Sequence, residues 1–186
     1  MTEQVCQDER VGVYPGSFDP PTIAHLAIAV MARRVANLAR VELVVSRSAL
    51  AKEASDDADF DRRMQVIEAS ISHAPWMSVQ ITEKQLIADI AEGYDVVVLG
   101  GDKWAQIVDP VFYADDPGQR DAAIGRLPQV VGPNRPGYPP LPESAVHLEL
   151  PARLHPVSST GARTTNPEWM TPPARKTAEL HGIWGL

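Results

Sequence analysis

The chain contains one cysteine, Cys6, in 186 residues, so no internal disulfide can close. In its polar N-terminal stretch Cys6 also lacks partners for a zinc site. A reducing cytoplasm is the compartment this fits. Basic residues are scarce. The 17 Lys plus Arg face 24 Asp plus Glu, for a formal net charge of -7. This argues against a nucleic-acid surface, because phosphate backbones are held chiefly by basic clusters. Any cation at a site must act locally. No apolar run approaches the roughly 18 to 20 residues that cross a bilayer. The stretch Met1 to Asp8 has neither the basic nor the apolar region of a signal peptide, so no membrane partner is expected. Internal repeats and a dividing linker are absent too. Residues 1–186 read as a single domain with residues 164–186 as a tail packing on it, and a homo-oligomer is left open.

What is present is a regular alternation. Val11 to Tyr14 is a short apolar run ended by Pro15-Gly16, a buried strand and a turn. Thr22 to about Ala39 reads as a mostly buried helix whose polar stripe is Arg33, Asn37 and Arg40. Glu42 to Ser46, Met77 to Ile81 and Asp95 to Gly100 read as strands, with helices over Phe60 to Ser72, over Glu83 to Glu92 and from near Asp102. Strands without polar alternation, separated by helices, predict an α/β fold: a Rossmann-like, doubly wound parallel sheet. The second half is less regular. A polar stretch, Asp115 to Arg126, precedes a strand at Pro128 to Gly132, a Pro-rich loop at Asn134 to Pro142, a strand at Ala145 to Leu150, and a tail with Trp169, Trp184 and a short helix near Ala174 to Leu180.

In open parallel sheets ligands bind beyond the carboxyl ends of the strands, and three segments with chemical character fall there. In Gly16-Ser17-Phe18-Asp19-Pro20-Pro21-Thr22-Ile23-Ala24-His25, Gly16 permits a tight turn, Thr22 can cap the helix, and His25 shares the first helical turn. Free N–H groups, a hydroxyl and an imidazole at one helix start suit an anion such as phosphate. In Pro156-Val157-Ser158-Ser159-Thr160-Gly161-Ala162-Arg163, Ser158 or Ser159 can cap, and the Arg163 guanidinium can return along the same face. After the strongest strand, Gly100-Gly101-Asp102-Lys103-Trp104 offers two glycines for close approach, and Asp102 as an acceptor for a ribose hydroxyl. Each segment alone is compatible with an ordinary capped turn. Together they offer the separated contacts that a nucleoside triphosphate needs.

The first two segments resemble the paired motifs of the adenylyltransferase and cytidylyltransferase superfamily, His/Thr-x-Gly-His and a late Ser-Ser-Thr-x-x-Arg, in the same order and well over a hundred residues apart. The resemblance implies that Thr22 and His25 stabilise charge on the transferring phosphoryl group, while Ser158, Ser159, Thr160 and Arg163 hold the β and γ phosphates. It further implies nucleotide contacts at Gly16, Ser17, Phe18, Gly101 and Asp102, a Mg²⁺ ion bridging the triphosphate, and direct attack of an acceptor phosphate on the α-phosphorus. That agrees with the residues themselves, since no nucleophile and base pair is visible and phosphoryl transfer can proceed by positioning and electrostatics. His25 then acts as a donor to the transition state.

Within that superfamily the chain looks most like nicotinamide or nicotinate mononucleotide adenylyltransferases, through Gly100-Gly101-Asp102 and Val130-Val131-Gly132-Pro133-Asn134-Arg135-Pro136-Gly137. The opening Tyr14 to Pro20 looks more like phosphopantetheine adenylyltransferase. Two departures stand out: Ala24 replaces the motif glycine, and Ser46 to Lys52 replaces a Pro-His-Lys segment. Lys52 and Arg135 are the acceptor-phosphate candidates, and Phe112, then Tyr113 or Trp104, are those for stacking on a pyridine ring. The run Glu53, Asp56, Asp57, Asp59 and Asp61 reads as a solvated loop or a lid. The expected activity is transfer of AMP from ATP to a phosphate-bearing acceptor, most naturally nicotinate or nicotinamide mononucleotide. Two alternatives remain open here. One is phosphopantetheine adenylyl transfer, or cytidylyl transfer from CTP to another phosphate acceptor; the other is a non-catalytic nucleotide-binding regulator.

Overall fold

The computed structural model describes residues 9–48 and 57–186. Six strands, β1 (Val11–Pro15), β2 (Arg40–Ser46), β3 (Met77–Thr82), β4 (Val96–Val98), β5 (Gln129–Gly132) and β6 (Val146–His147), form one sheet in the order β3-β2-β1-β4-β5-β6. Every pairing is parallel, with Gly12 opposite Val96 and Val13 opposite Val97 at the central seam. Seven helices connect and cover it: α1 (Ile23–Val35), α2 (Asp57–Ile71), α3 (Ile87–Ile90), α4 (Gly101–Val108), α5 (Pro117–Gly125), α6 (Ser159–Thr164) and α7 (Pro172–His181). The expected doubly wound α/β architecture is therefore the observed one.

Strand β4 shows why an uninterrupted valine run specifies a central strand. Val96 and Val98 pack with Ile28, Ala29 and Ala32 of α1 and Phe60 and Ile67 of α2, while Val97 and the following Leu99 face Ile87 of α3 and Trp104 and Ile107 of α4. Both faces are covered, so neither tolerates a polar residue. Removal of each such valine from water stabilises the fold by about 1.5 to 3 kcal/mol.

Several boundaries differ from the sequence expectation. Helix α1 stops at Val35 because Asn37 takes a left-handed conformation, φ 50°, and turns the chain into β2. The helix expected over Glu83 to Glu92 shrinks to the four residues of α3. Lys84 is drawn away from helical geometry, donating its backbone N–H to Thr82 Oγ1 and its ammonium to the Asp89 carbonyl, and Gly93, φ 85°, ends the segment. The last strand is reduced to Val146–His147, because its neighbour β5 runs into Pro133, which has no N–H to extend the ladder. In the polar stretch from Asp115, to which the sequence assigns no element, α5 forms: Asp116 caps it by accepting from the N–H groups of Gly118 and Gln119, and Pro117 occupies its first turn. Ala174 and Ala178 of α7 lie against Val66 of α2.

The order of the strands places a crevice between the carboxyl ends of β1 and β4, where the chain direction across the sheet reverses. Beside it Gly132 is indispensable, since a Cβ there would lie 1.9 Å from the Leu99 carbonyl oxygen, a backbone atom that cannot move aside. Gly132→Ala is expected to lower stability by about 3 kcal/mol, at the upper end of overpacking costs. Urea unfolding checks this, and an unchanged midpoint would contradict so close an approach.

Candidate active site

At the start of α1 a reciprocal cap fixes the histidine. The Thr22 backbone N–H donates to His25 Nδ1 at 3.0 Å, the Thr22 hydroxyl lies 2.9 Å from the same nitrogen, and the His25 backbone N–H donates to Thr22 Oγ1 at 3.4 Å. An N–H can only donate, so Nδ1 accepts and the neutral ring carries its proton on Nε2. The imidazole is walled by aromatic edges, with ring centroids at 5.2 Å from Phe18 and 6.2 Å from Tyr14. Burial in this box pushes the His25 pKa down to about 4; the Asp102 charge works against that shift and Arg135 reinforces it. At neutral pH the site therefore holds a neutral donor. Burial likewise pushes the Tyr14 hydroxyl upward, so it too stays protonated.

The start of α6 is tied to the same loop. Ser158, not Ser159, is the cap, accepting from the Gly161 N–H at 3.1 Å. Ser159 instead donates its hydroxyl to the Pro20 carbonyl at 2.8 Å. Arg163 donates through Nη1 to the Asp19 carbonyl and lies 3.1 Å from the Asp19 carboxylate. Residues separated by 144 positions are thus joined at one point. Gly161 is needed for the packing behind them, because a Cβ there would meet the Trp169 ring at 2.4 Å.

These elements line a cleft of about 460 Å³. Of the predicted residues, Gly16, Ser17, Phe18, Thr22, His25, Gly101, Asp102, Arg135, Ser158, Ser159, Thr160 and Arg163 all reach it. Asp102 is exposed in the first turn of α4, on the face opposite the buried Gly101, Trp104 and Ile107. Arg135 and Tyr138 pack over Gly101, where a Cβ would come within 3.0 Å of Tyr138 Cβ. Ala24 lines the cleft as well, its methyl packed with Leu154 and Val157.

Two aromatic candidates are not brought there. Trp104 lies in the core with Leu99 and Ile107, and Phe112 packs with Tyr113 in a separate small cluster around Ala88 and Ala123. Lys52, Glu53 and Asp56 lie outside the described residues; Asp59 and Asp61 belong to α2 rather than to a loop. The exposed aromatic that does line the cleft is Tyr138, which the Arg-Pro-Gly segment immediately precedes in sequence. Asp19, to which the first motif assigns no role, contacts both Arg163 and Trp184.

A doubly wound sheet with two linked helix starts at its switch point defines a nucleotide-handling class of protein. Residues 13–165 match the cytidylyltransferase-like family, and the chain belongs to that family. Among its curated relatives, a probable nicotinate-nucleotide adenylyltransferase from Chlorobaculum parvum is 31% identical over 83% of this chain and 85% of its own length. One from Listeria welshimeri, with the same name, is 25% identical over 83% and 84%. A solved structure, Plasmodium falciparum nicotinic acid mononucleotide adenylyltransferase complexed with NaAD, shares the fold with a TM-score of 0.63 at 14% identity, covering 95% of this chain and 97% of that one. Among the described residues, no helix is long and apolar enough to cross a membrane.

The depressed pKa of His25 has a consequence for stability. As pH falls from the ordinary histidine value of 6.5 to about 4, the unfolded chain takes up a proton that the folded one refuses, so stability declines across that window and levels off below it. His25→Gln should show a smaller loss of urea midpoint between pH 7 and pH 4.5 than the parent chain. A parent imidazole that NMR shows to be charged at pH 6 would contradict the buried, N–H-accepting geometry.

Proposed function

We propose that this chain transfers AMP from ATP to the phosphate of nicotinate mononucleotide, releasing pyrophosphate. The observation that carries the reading is the joining of the two helix starts, Arg163 to Asp19 and Ser159 to Pro20, around a neutral histidine in one cleft. The names borne by the relatives support the acceptor. In the reaction an oxygen of the acceptor phosphate forms a bond to the α-phosphorus. The bond from that phosphorus to the αβ-bridging oxygen breaks, and its electron pair leaves with pyrophosphate.

His25 Nε2–H donates to the α-phosphate oxygens as negative charge gathers there, held in position by the acceptor role of its Nδ1. Ser158, Thr160 and Arg163 hold the outer phosphates, and Asp102 accepts from a ribose hydroxyl. Arg135, on the cleft rim, is the described cation best placed for the acceptor. None of these groups forms a covalent intermediate; positioning and charge stabilisation lower the barrier.

The proposal includes Mg²⁺. Among the described residues no three His, Cys, Asp or Glu side chains gather to hold a metal. That fits an ion that keeps several waters and takes ligands from substrate phosphates. When bound it would neutralise triphosphate charge, and Asp102 is a cleft carboxylate that would help to hold it. The lone Cys6 suits action in the cytoplasm.

Pyrophosphate release should be fastest with ATP and nicotinate mononucleotide in a panel that includes CTP, nicotinamide mononucleotide and phosphopantetheine. Release with CTP and none with ATP would overturn the reading. His25→Ala should lower kcat by about 10² to 10³, the scale of a lost transition-state donor, while circular dichroism and the thermal midpoint show the fold retained. Undiminished turnover would remove His25 from that role.

A further inference from the structure

The two-tryptophan tail is the sequence feature that the proposed chemistry leaves without a task. Trp184 packs with Ile183, Leu186 and Trp169 in the apolar cluster that holds α7 on α2, and packing would account for the indole ring. It does not account for the indole N–H. Trp184 Nε1–H donates to Asp19 Oδ1 at 2.8 Å, across 165 residues of sequence, onto a carboxylate that lines the cleft. Both ends of this bond stand on unusual backbone. Phe18, immediately before Asp19, has φ 43°, and Trp184 itself has φ 58°; neither is glycine. Left-handed conformations at bulky residues persist only where their surroundings over-determine them.

The other carboxylate oxygen, Asp19 Oδ2, faces Arg163 Nη1 at 3.1 Å, and that same Nη1 also donates to the Asp19 carbonyl. An arginine beside a carboxylate ordinarily tends to a bidentate pair, in which two of its nitrogens are committed. Here one oxygen is bonded to the indole, and the guanidinium meets Asp19 through Nη1. We propose that Trp184 is a positioning residue for ATP. By occupying Asp19 Oδ1, it restrains Arg163 to a one-sided ion pair and keeps the rest of its fork for the triphosphate. The proposal rests on the reading of Arg163 as a triphosphate ligand.

ATP binding by calorimetry tests it, in the parent chain, Trp184→Phe, Arg163→Ala and the double variant. A parallel chain carries benzothienylalanine at position 184, an isostere of tryptophan with sulfur for N–H, so that a folding defect of the phenylalanine variant leaves the test intact. Both changes at position 184 should weaken ATP roughly ten-fold, the scale of one hydrogen bond to a charged group. The affinity for nicotinate mononucleotide should be unchanged. In the Arg163→Ala background, loss of the indole N–H should have no further effect.

Unaltered ATP affinity on losing the N–H, while Arg163→Ala does weaken it, would overturn the proposal and spare the triphosphate reading. The same factor of loss in both backgrounds would also overturn it, as would equal weakening of ATP and acceptor together with a lower melting temperature. Arg163→Ala binding ATP as the parent does would overturn the triphosphate reading, and the proposal with it.

Discussion

The architecture of the cleft depends on one long-range tie, the attachment of Arg163 to Asp19. The sheet alone brings the carboxyl ends of β1 and β4 side by side, but α6 begins beyond β6, at the edge of the sheet. Packing of Val157 on Ala24 and of Ala162 with Val66 brings this short helix near the central loop without a hydrogen-bonded relation to it. Arg163 and Ser159 supply that relation by donating to consecutive carbonyls, those of Asp19 and Pro20. Each bond is modest in net worth, about 1 kcal/mol for a neutral pair and more for the charged one. Their value lies in fixing two helix starts at a set distance, the kind of rigid positioning that a scaffold can supply to a reaction.

Electrostatics complement that geometry. An acidic chain that must hold a polyanion cannot rely on a general positive field, and the net charge of -7 works against one. Local means replace it: Arg163 and Arg135 both line the cleft, and burial beside aromatic rings keeps the histidine neutral. A charged imidazolium would attract the ground-state triphosphate as well as the transition state. On the proposed reading, a neutral Nε2–H held by an acceptor bond at Nδ1 would offer less to bound ATP and a fixed donor where charge grows. The same Thr22 that caps α1 orients this ring, so helix capping and site organisation are one feature.

The fold was largely legible in the sequence because its central strands are buried on both faces and must read as continuous apolar runs, as Val96 to Leu99 does. Local signals failed where tertiary contacts outweighed them. Nothing in Glu83 to Glu92 forbids a longer helix; the detour follows from Lys84 bonding to Thr82 and Asp89. In the reverse direction, a cap was overlooked. Asp116-Pro117 is a helix start in its own right, and the polarity of the residues after it concealed α5 only because that helix lies mostly at the surface.

The cleft was legible to the extent that its residues are neighbours in sequence. Thr22 with His25 and Ser159 with Arg163 lie three and four residues apart, where helical spacing predicts a shared face. Even the error at Trp104 is a matter of spacing. Counted from Gly101, the inward positions of α4 are Gly101, Trp104 and Ile107, while Asp102 projects outward to the cleft, so aspartate and tryptophan could not both serve one ligand. No such count reaches Asp19 and Trp184, because their bond is created by α7 docking on α2 through Ala174 and Ala178. Small residues at a helix contact set how closely the tail approaches. That distance, rather than any motif, decides whether an indole N–H arrives at the phosphate loop.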